Sequence, residues 1–549
     1  MRPCFHILLV AIPALLASSC GDSSSSDNAG AGGSSDAGGS GGTGGGTGGT
    51  AGSSGAAGSG GGSDAGPDAP PASNPIPPER RIAWRAGVPG GIPDASVVCP
   101  ASAPSVLDHG AEGDGTTDDA AAFQAAIDAA AQGTAVRVPE GTYLLREGLT
   151  IDKGVVLCGE GADKSRLVFD ADADGIAIVK YDRGDFVSVT SGYEKDSTQL
   201  IVADGASFVV GQYAELQQTN DWAVMDPEGT WQNASWVPEA AVGQMLKVVA
   251  VDGNTLTVDP PVHLDYNGDQ DPKVRRMGLV EGAGLQGLRL SRLDTYDRAT
   301  VTVKNAALTW VRDCEGANTM KEHVGFTSTL WCEVRDSYFH DAFDYGGGGH
   351  GYGTNLGNHV TATLVENNVF VHLRHSMLVQ VGATGNVFGY NYSREPYQSE
   401  GGNWTPCDIS LHGHYNNMNL FEGNTVQEVD VSDYWGPSGP GNTFFRNRVE
   451  AEGIEVMDYS HGQNVVGNEL GTDDDVIVVD STVTSTFLHG NYVSGALQWD
   501  PAVSDHDLPA SLYRASKPGF FGSTPWPVTG GDLAPNGAKI PAQERYEQM

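Results

Sequence analysis

Positive charge, metal-spaced cysteines and long apolar runs are all scarce in this sequence. Only 31 Lys and Arg stand against 69 Asp and Glu, a formal net charge of −38. Phosphate backbones are bound by clustered basic side chains, so this balance argues against nucleic acid as a partner. An acidic polymer would also need a basic strip or bound cations to offset the field. None of the seven cysteines forms a CxxC pair, which leaves a zinc or redox motif without support. After residue 16 no stretch is long and apolar enough to cross a bilayer. Residues 21–75 lack Lys, Arg and every aromatic residue. Such a segment cannot bury enough apolar surface to offset its ordering entropy. As a flexible coil it spans about 40 Å.

The start of the chain is different. Arg2 precedes an apolar run from Phe5 to Leu16, too short to span a membrane, which reads as an export signal. It ends in Ala17-Ser18-Ser19-Cys20, which resembles a bacterial lipobox, with Leu16 one place further from the cysteine than is usual. The expectation is an exported protein with lipid on Cys20, anchored at the outer membrane or cell surface and touching the membrane through that lipid alone. Ordinary cleavage near Ser19 is the alternative. Beyond Cys4 and Cys20 five cysteines remain, an odd number, and in an oxidising compartment Cys314–Cys332 is the expected pair.

Residues 109–131 place a Gly/Asp turn before AAAFQAAIDAAA. Thr117 or Asp118 can cap a helix whose apolar face is Phe123, Ala126, Ile127 and Ala130. Short strands follow, VRVPEGTYLL and VVLCGEGADKSRLVF among them. Later, apolar residues recur around a polar turn: LVENNVF, NLFEGNTV, NTFFRNRV and FLHGNYV. The equivalent turn position runs Cys314, Ser337, Asn368, Asn391, Asn424, Asn447, Asn468, Asn491, in steps of 23, 31, 23, 33, 23, 21 and 23. A period near 22 fits one coil of a parallel β-helix, and asparagines stacked at one corner can hydrogen-bond from coil to coil.

The GDGTTDD turn, its helix and the P-x-G-x-Y step resemble the entry segment of rhamnogalacturonase/epimerase-type pectate-lyase-like proteins, over residues 107–169. The resemblance implies an all-β fold, a right-handed parallel β-helix with a short capping helix. It also implies a polysaccharide as substrate. Residues 76–185 would form the cap and first coils, 263–500 the later coils and 501–549 a closing tail. Residues 186–262, with alternating strands and Asp-Gly and Gly-Asn turns, read as a small inserted β unit. Trp222, Trp231 and Trp236 in its central loop suit either sugar stacking or the insert's own core.

The 31- and 33-residue steps each add a loop, 341–357 and 395–408, in coils near enough to flank one groove. Nine of 14 histidines fall between His323 and His461. The candidate catalytic residues are Asp341, Asp344, His350, His372, Arg374, His375, Asp408, His412 and His414. Coil alignment stacks Asp341 over His372 and Asp344 over His375 if the first loop starts after Asp344. Trp404, Trp435, Tyr345 and Tyr352 are candidate sugar contacts. Asp265, Asn267, Asp269 and Asp271 form a candidate calcium loop, with an ordinary acidic turn as the alternative. No other cofactor is expected, and the chain is expected to be a monomer.

Gly349-His350-Gly351 matches the polygalacturonase Gly-His-Gly, but that family's upstream Asn-Thr-Asp and Asp-Asp motifs are missing, so no catalytic residue is carried over. The His/Arg cluster favours a lyase: Arg374 would neutralise a uronate, with His375 or His412 as base. A glycoside hydrolase using paired carboxylates from Asp341, Asp344, Asp408 and Asp433 is the second reading. A non-catalytic glycan-binding or adhesive β-helix is the third.

Overall fold

The computed structural model describes residues 74–549 except 233, 235–236, 402–404, 432–435 and 472–475. The export signal, Cys20, Trp236, Trp404, Asp433 and Trp435 therefore lie outside the described residues.

The chain winds into a right-handed parallel β-helix. Each coil contributes one strand to each of three faces, here sheets A, B and C. Sheet A has eleven parallel strands, from Thr134–Val138 to Phe487–His489. Sheet B begins with Asp114–Asp118, paired in parallel with Gly141–Leu145, and includes Tyr338–Ala342, Val369–Val371 and Tyr392–Arg394. Sheet C begins at Leu149–Ile151 and includes Tyr352–Gly357, His375–Val379 and Ile409–Leu411. Thr425–Val431 and Arg448–Val456 run unbroken through the B–C corner and join the two faces.

Side-chain alternation produces the core. On sheet A, Val334, Val365, Phe388, Phe421, Phe444 and Val465 stand in register and face inward. The rings of Phe388, Phe421 and Phe444 stack at 4.8 and 5.1 Å. Each buried Phe contributes about 1.5–3 kcal/mol, and each stacked pair ~0.5–1.5 kcal/mol more.

The A–B corner explains the repeat. The Ser337 hydroxyl accepts the Cys314 N–H, and from Ser337 on each residue of the series donates its N–H to the side-chain oxygen of the next, as far as Asn491. Asn424 is typical: its Nδ2 donates to Phe388 O and Asn447 Oδ1, both at 2.9 Å, and its Oδ1 accepts from the Asn391 main and side chains. The residue before each ladder position has a left-handed φ, from Asp313 at 52° to Gly490 at 67°. That conformation costs a non-glycine residue roughly 1–2 kcal/mol, and glycine relieves it at 423, 467 and 490. A second, shorter ladder links Thr363, Asn386, Asn419 and Asn442 at the C–A corner.

The helix Ala120–Ala129 covers the open end of the first coils with Phe123, Ala126 and Ile127 buried. Its N-cap position is Asp119, one residue later than the sequence suggested, although the Asp118 carboxylate does accept the Ala120 N–H. Between coils, strands from Asp182–Ser191 to Lys273–Gly278 close a six-stranded antiparallel barrel. Its last strand lies beyond the 186–262 boundary. The barrel is pinned to the helix where Glu215 meets His359 Nδ1 at 2.8 Å and where Met245 N–H donates to Thr361 Oγ1 at 2.9 Å. Burial raises the Glu215 carboxyl, but His359 and Arg275 outweigh it and hold the group at about 2.

The expected Cys314–Cys332 disulfide does not form. Cys332 precedes its sheet A strand while Cys314 follows the strand below, five residues out of step, or roughly 16 Å at ~3.3 Å per residue. Cys99 pairs instead with Cys158, tying the segment before the first coil to sheet A. Cys314, Cys332 and Cys407 are buried and form no disulfide among the described residues.

Candidate active site

The outer face of sheet C has a wall on each side. On the sheet B side stand the loops 343–351 and 395–401, and on the other side stand the barrel and the turns that leave sheet C. The two loops do not flank an open groove. They fold onto each other over the short corner 372–374 of the coil between them. Ser399 Oγ donates to Asp344 Oδ1 at 3.3 Å, and Arg374 Nη2 meets Glu400 Oε2 at 3.0 Å. Arg374 Nη1 also donates to the Gly346 carbonyl. His372 stacks on Tyr397 at 4.8 Å and meets the edge of Tyr345 at 5.1 Å.

These contacts fix the roles of several candidates. Asp341 and His372 do occupy equivalent corner positions of adjacent coils. However, the Asp341 carboxylate turns to His340 Nδ1 at 2.7 Å, and Glu315 meets the other ring nitrogen at 3.1 Å. Burial lowers the His340 pKa, and these two carboxylates more than reverse that, leaving it raised. Asp344 does not stack over His375. The loop leaves the strand after Ala342, so Asp344 pairs with His350 at 2.9 Å while His375 lies in register with Tyr352.

His375 is buried, 5.3 Å from the Tyr352 ring and 6.0 Å from His412, with Nδ1 2.9 Å from the Cys407 carbonyl. Tyr352, only 5% exposed, is no sugar platform. Tyr345 is half-buried within the loop cluster, where its hydroxyl accepts the Ala342 N–H. His414 is fully buried. The 265–271 loop turns its oxygens on its own neighbours. Asp265 accepts from Lys195 N–H, Asn267 from Asp269 N–H, and Asp271 lies 3.6 Å from Lys273 Nζ. Among the described residues no group of side chains converges to hold a metal ion.

The concentration of chemistry lies further along sheet C. Alternation in Thr425–Val431 buries Val429 and Val431 and turns Glu428 and Asp430 outward, roughly 7 Å apart along the strand. In the next coil Glu455 stands directly opposite Asp430, at a strand spacing of ~4.8 Å, while Gly453 faces Glu428. Like charges stacked this way oppose ionisation. Burial first, and then the charges of Asp430, Glu452, Asp408 and Glu455, push the Glu428 carboxyl up to about 9. Its Oε2 is buried with no hydrogen-bond partner among the described residues.

Asp408 sits beneath this strip. It is wholly buried and accepts the N–H groups of Gln427 at 2.6 Å and Glu428 at 3.2 Å, together with the Ser393 hydroxyl. Burial raises it to about 6 against those hydrogen bonds. It fixes the backbone that carries Glu428. Of these residues the candidate set read from the sequence held Asp408 and left out Glu428, Asp430 and Glu455. The available signal was the alternation Glu428-Val429-Asp430-Val431 followed one coil later by Ile454-Glu455-Val456.

Residues 103–227 match the family described as rhamnogalacturonase A/epimerase, pectate lyase-like. That match and the stacked coils together support a pectate-lyase-like β-helix. The pre-neck appendage proteins of Bacillus phages PZA and phi29 are 33% and 34% identical over 109 residues, 20% of this chain. The chain thus spans 12% of the length of these curated relatives. Among solved structures, the tailspike gp49 of Pseudomonas phage LKA1 is similar with a TM-score of 0.47 at 15% identity, over 71% of this chain and 78% of that one. The mannuronan C-5 epimerase A-module of Azotobacter vinelandii is similar with a TM-score of 0.36 at 13% identity, over 71% of this chain and 99% of its own.

Proposed function

We propose that this chain is an exported, lipid-tethered enzyme that cleaves a polysaccharide laid along the outer face of sheet C, by hydrolysis. The observation that carries this reading is Glu428, a carboxyl pushed up to about 9 where burial and the neighbouring acids Asp430 and Glu455 crowd it. Glycoside hydrolysis needs two carboxyl groups in opposite protonation states, one to protonate the leaving oxygen and one to activate water or attack the sugar. Glu428 supplies the acid. Asp430 or Glu455 supplies the base or nucleophile, and Asp408 positions the acid through its backbone.

β-Elimination has less support here. Arg374 is engaged by Glu400 and a carbonyl, and His375 is buried against Cys407. The acidic strip would also repel a uronate. The test is release of reducing ends from a panel of neutral and charged glycans by the full chain and by Glu428→Gln. Loss of one general acid lowers the rate about 10²–10⁴-fold. A Glu428→Gln protein that cleaves at the wild-type rate would overturn the assignment.

A further inference from the structure

The outer face of sheet C changes sign along its length. Five strand spacings before Thr425–Val431, roughly 24 Å at ~4.8 Å each, stands the strand Val301–Lys304. Val301 and Val303 face the core, so Lys304 turns outward. Its ammonium lies over the Tyr181 ring, 5.9 Å from the centroid. Tyr181 stands where the chain leaves sheet C for the barrel and is 78% exposed. Buried Asn305 holds two more cationic positions beside it. Its Oδ1 accepts from Arg183 Nη2 at 3.2 Å, and its Nδ2 donates to the Lys180 carbonyl at 2.6 Å. Among the described residues no carboxylate forms an ion pair with Lys180, Arg183 or Lys304. Asp182 is taken by Arg276, at 2.9 and 2.8 Å, which leaves exposed Asp185 as the other acid of the segment. Toward the acidic strip, Thr327, Asn355 and Gln380 line the face without charge, and Gln380 Nε2 donates to Asn355 Oδ1 at 3.0 Å.

Three cations without ion pairs stand out in a chain with 31 basic against 69 acidic side chains. They gather beside one aromatic ring, and that ring is open to solvent instead of packed. A sugar can lay its apolar flank on such a ring, and an anionic group on that sugar then meets the ammonium and guanidinium groups. The acids five coils further on repel the same group. We propose that Tyr181, Lys180, Arg183 and Lys304 form a subsite for an oxyanion-bearing sugar, several residues along the glycan from the cleaved bond. The substrate class is then a heteropolysaccharide whose acidic sugars are spaced by neutral ones, in place of a uniformly charged polymer. This rests on the reading of the Glu428–Asp430–Glu455 strip as the cleavage site.

The test is calorimetric titration of the full chain with neutral gluco-oligosaccharides long enough to reach from Lys304 to Glu428. The same oligomers carrying one glucuronate or one sulfate ester at either end, and oligogalacturonate of equal length, are titrated alongside at low and moderate salt. A singly charged oligomer is expected to bind roughly tenfold more tightly than the neutral one, with an advantage that shrinks as salt rises. Which of glucuronate and sulfate gains more names the oxyanion. Lys304→Gln together with Arg183→Gln should abolish the advantage, Lys304→Arg should keep it, and Tyr181→Ala should weaken the charged oligomer roughly tenfold. Equal affinity for neutral and singly charged oligomers, an advantage that survives the loss of both cations, or tightest binding of oligogalacturonate overturns the proposal. The two readings separate cleanly. Charge-dependent binding without cleavage of any glycan leaves the subsite standing and removes the hydrolase. Cleavage that needs Glu428, with equal affinity for neutral and charged oligomers, does the reverse.

Discussion

Sheets A and C belong to the same coils, yet their outer faces treat acidic residues in opposite ways. On sheet A, Glu366 is fully buried and held by Arg514, whose Nε donates to Oε1 at 2.9 Å and whose Nη2 reaches Oε2 at 2.6 Å, and by the Tyr513 hydroxyl at 2.7 Å. Glu422 accepts the Leu512 N–H and the Tyr390 hydroxyl, and Glu333 accepts the Val88 N–H. Burial still pushes Glu422 and Glu333 to about 7. These acids clamp the tail and the N-terminal segment onto the helix. On sheet C, Asp430 stands opposite Glu455 in the next coil, with Glu428 two residues before Asp430 on the same strand. Paired acids build structure. Acids crowded against Glu428 raise its pKa, and that is a resource for chemistry.

The largest way to break the contrast is Arg514→Met. It strands the buried Glu366 charge, and stability should fall by about 3–5 kcal/mol in chemical denaturation. Replacing Glu366 and Arg514 together by apolar residues should recover much of that loss. If the single change costs under ~1 kcal/mol, the tail is not clamped this way. Next comes Asn424→Ala in the ladder. It leaves backbone donors and acceptors unpaired in the A–B corner and should cost about 1–3 kcal/mol, with sheet C chemistry intact.

A third test uses pH. The folded Glu428 pKa lies above its unfolded value, so folding is favoured fully below about pH 4.5 and that benefit is lost as pH rises toward about 9. Glu428→Gln should flatten this slope and be relatively more stable than wild type at alkaline pH. An unchanged slope would mean the acids do not crowd. The smallest effect belongs to Arg374→Ala. Its partly exposed pair with Glu400 should change stability by only ~0.2–1 kcal/mol and leave cleavage nearly intact. Loss of cleavage there would move the site to the loop cluster.

The ladder was legible because a fixed step in sequence is a fixed height in a solenoid, and polar Asn between apolar pairs marks the step. Asp341 over His372 was legible for the same reason, since no loop intervenes before the corner. Asp344 and His375 were misaligned because sequence spacing does not show where a loop leaves its strand. The disulfide was hidden because connectivity follows from the docking of the 95–99 segment on sheet A, which carries no periodic signal. The strand Lys273–Gly278 closes the barrel across a turn segment that separates it from its partners in sequence. Glu428 and Glu455 look like ordinary surface acids until the register places Asp430 opposite Glu455 in the next coil. Chemistry that arises from crowding of common residues is the part a single sequence shows least.

The most direct measurement follows reducing ends and the ultraviolet absorbance of unsaturated uronate together, for the full chain and Glu428→Gln on one glycan panel. Hydrolysis at the acidic strip predicts reducing ends without absorbance, lost in Glu428→Gln. Rising absorbance, or equal cleavage by the two proteins, would contradict it.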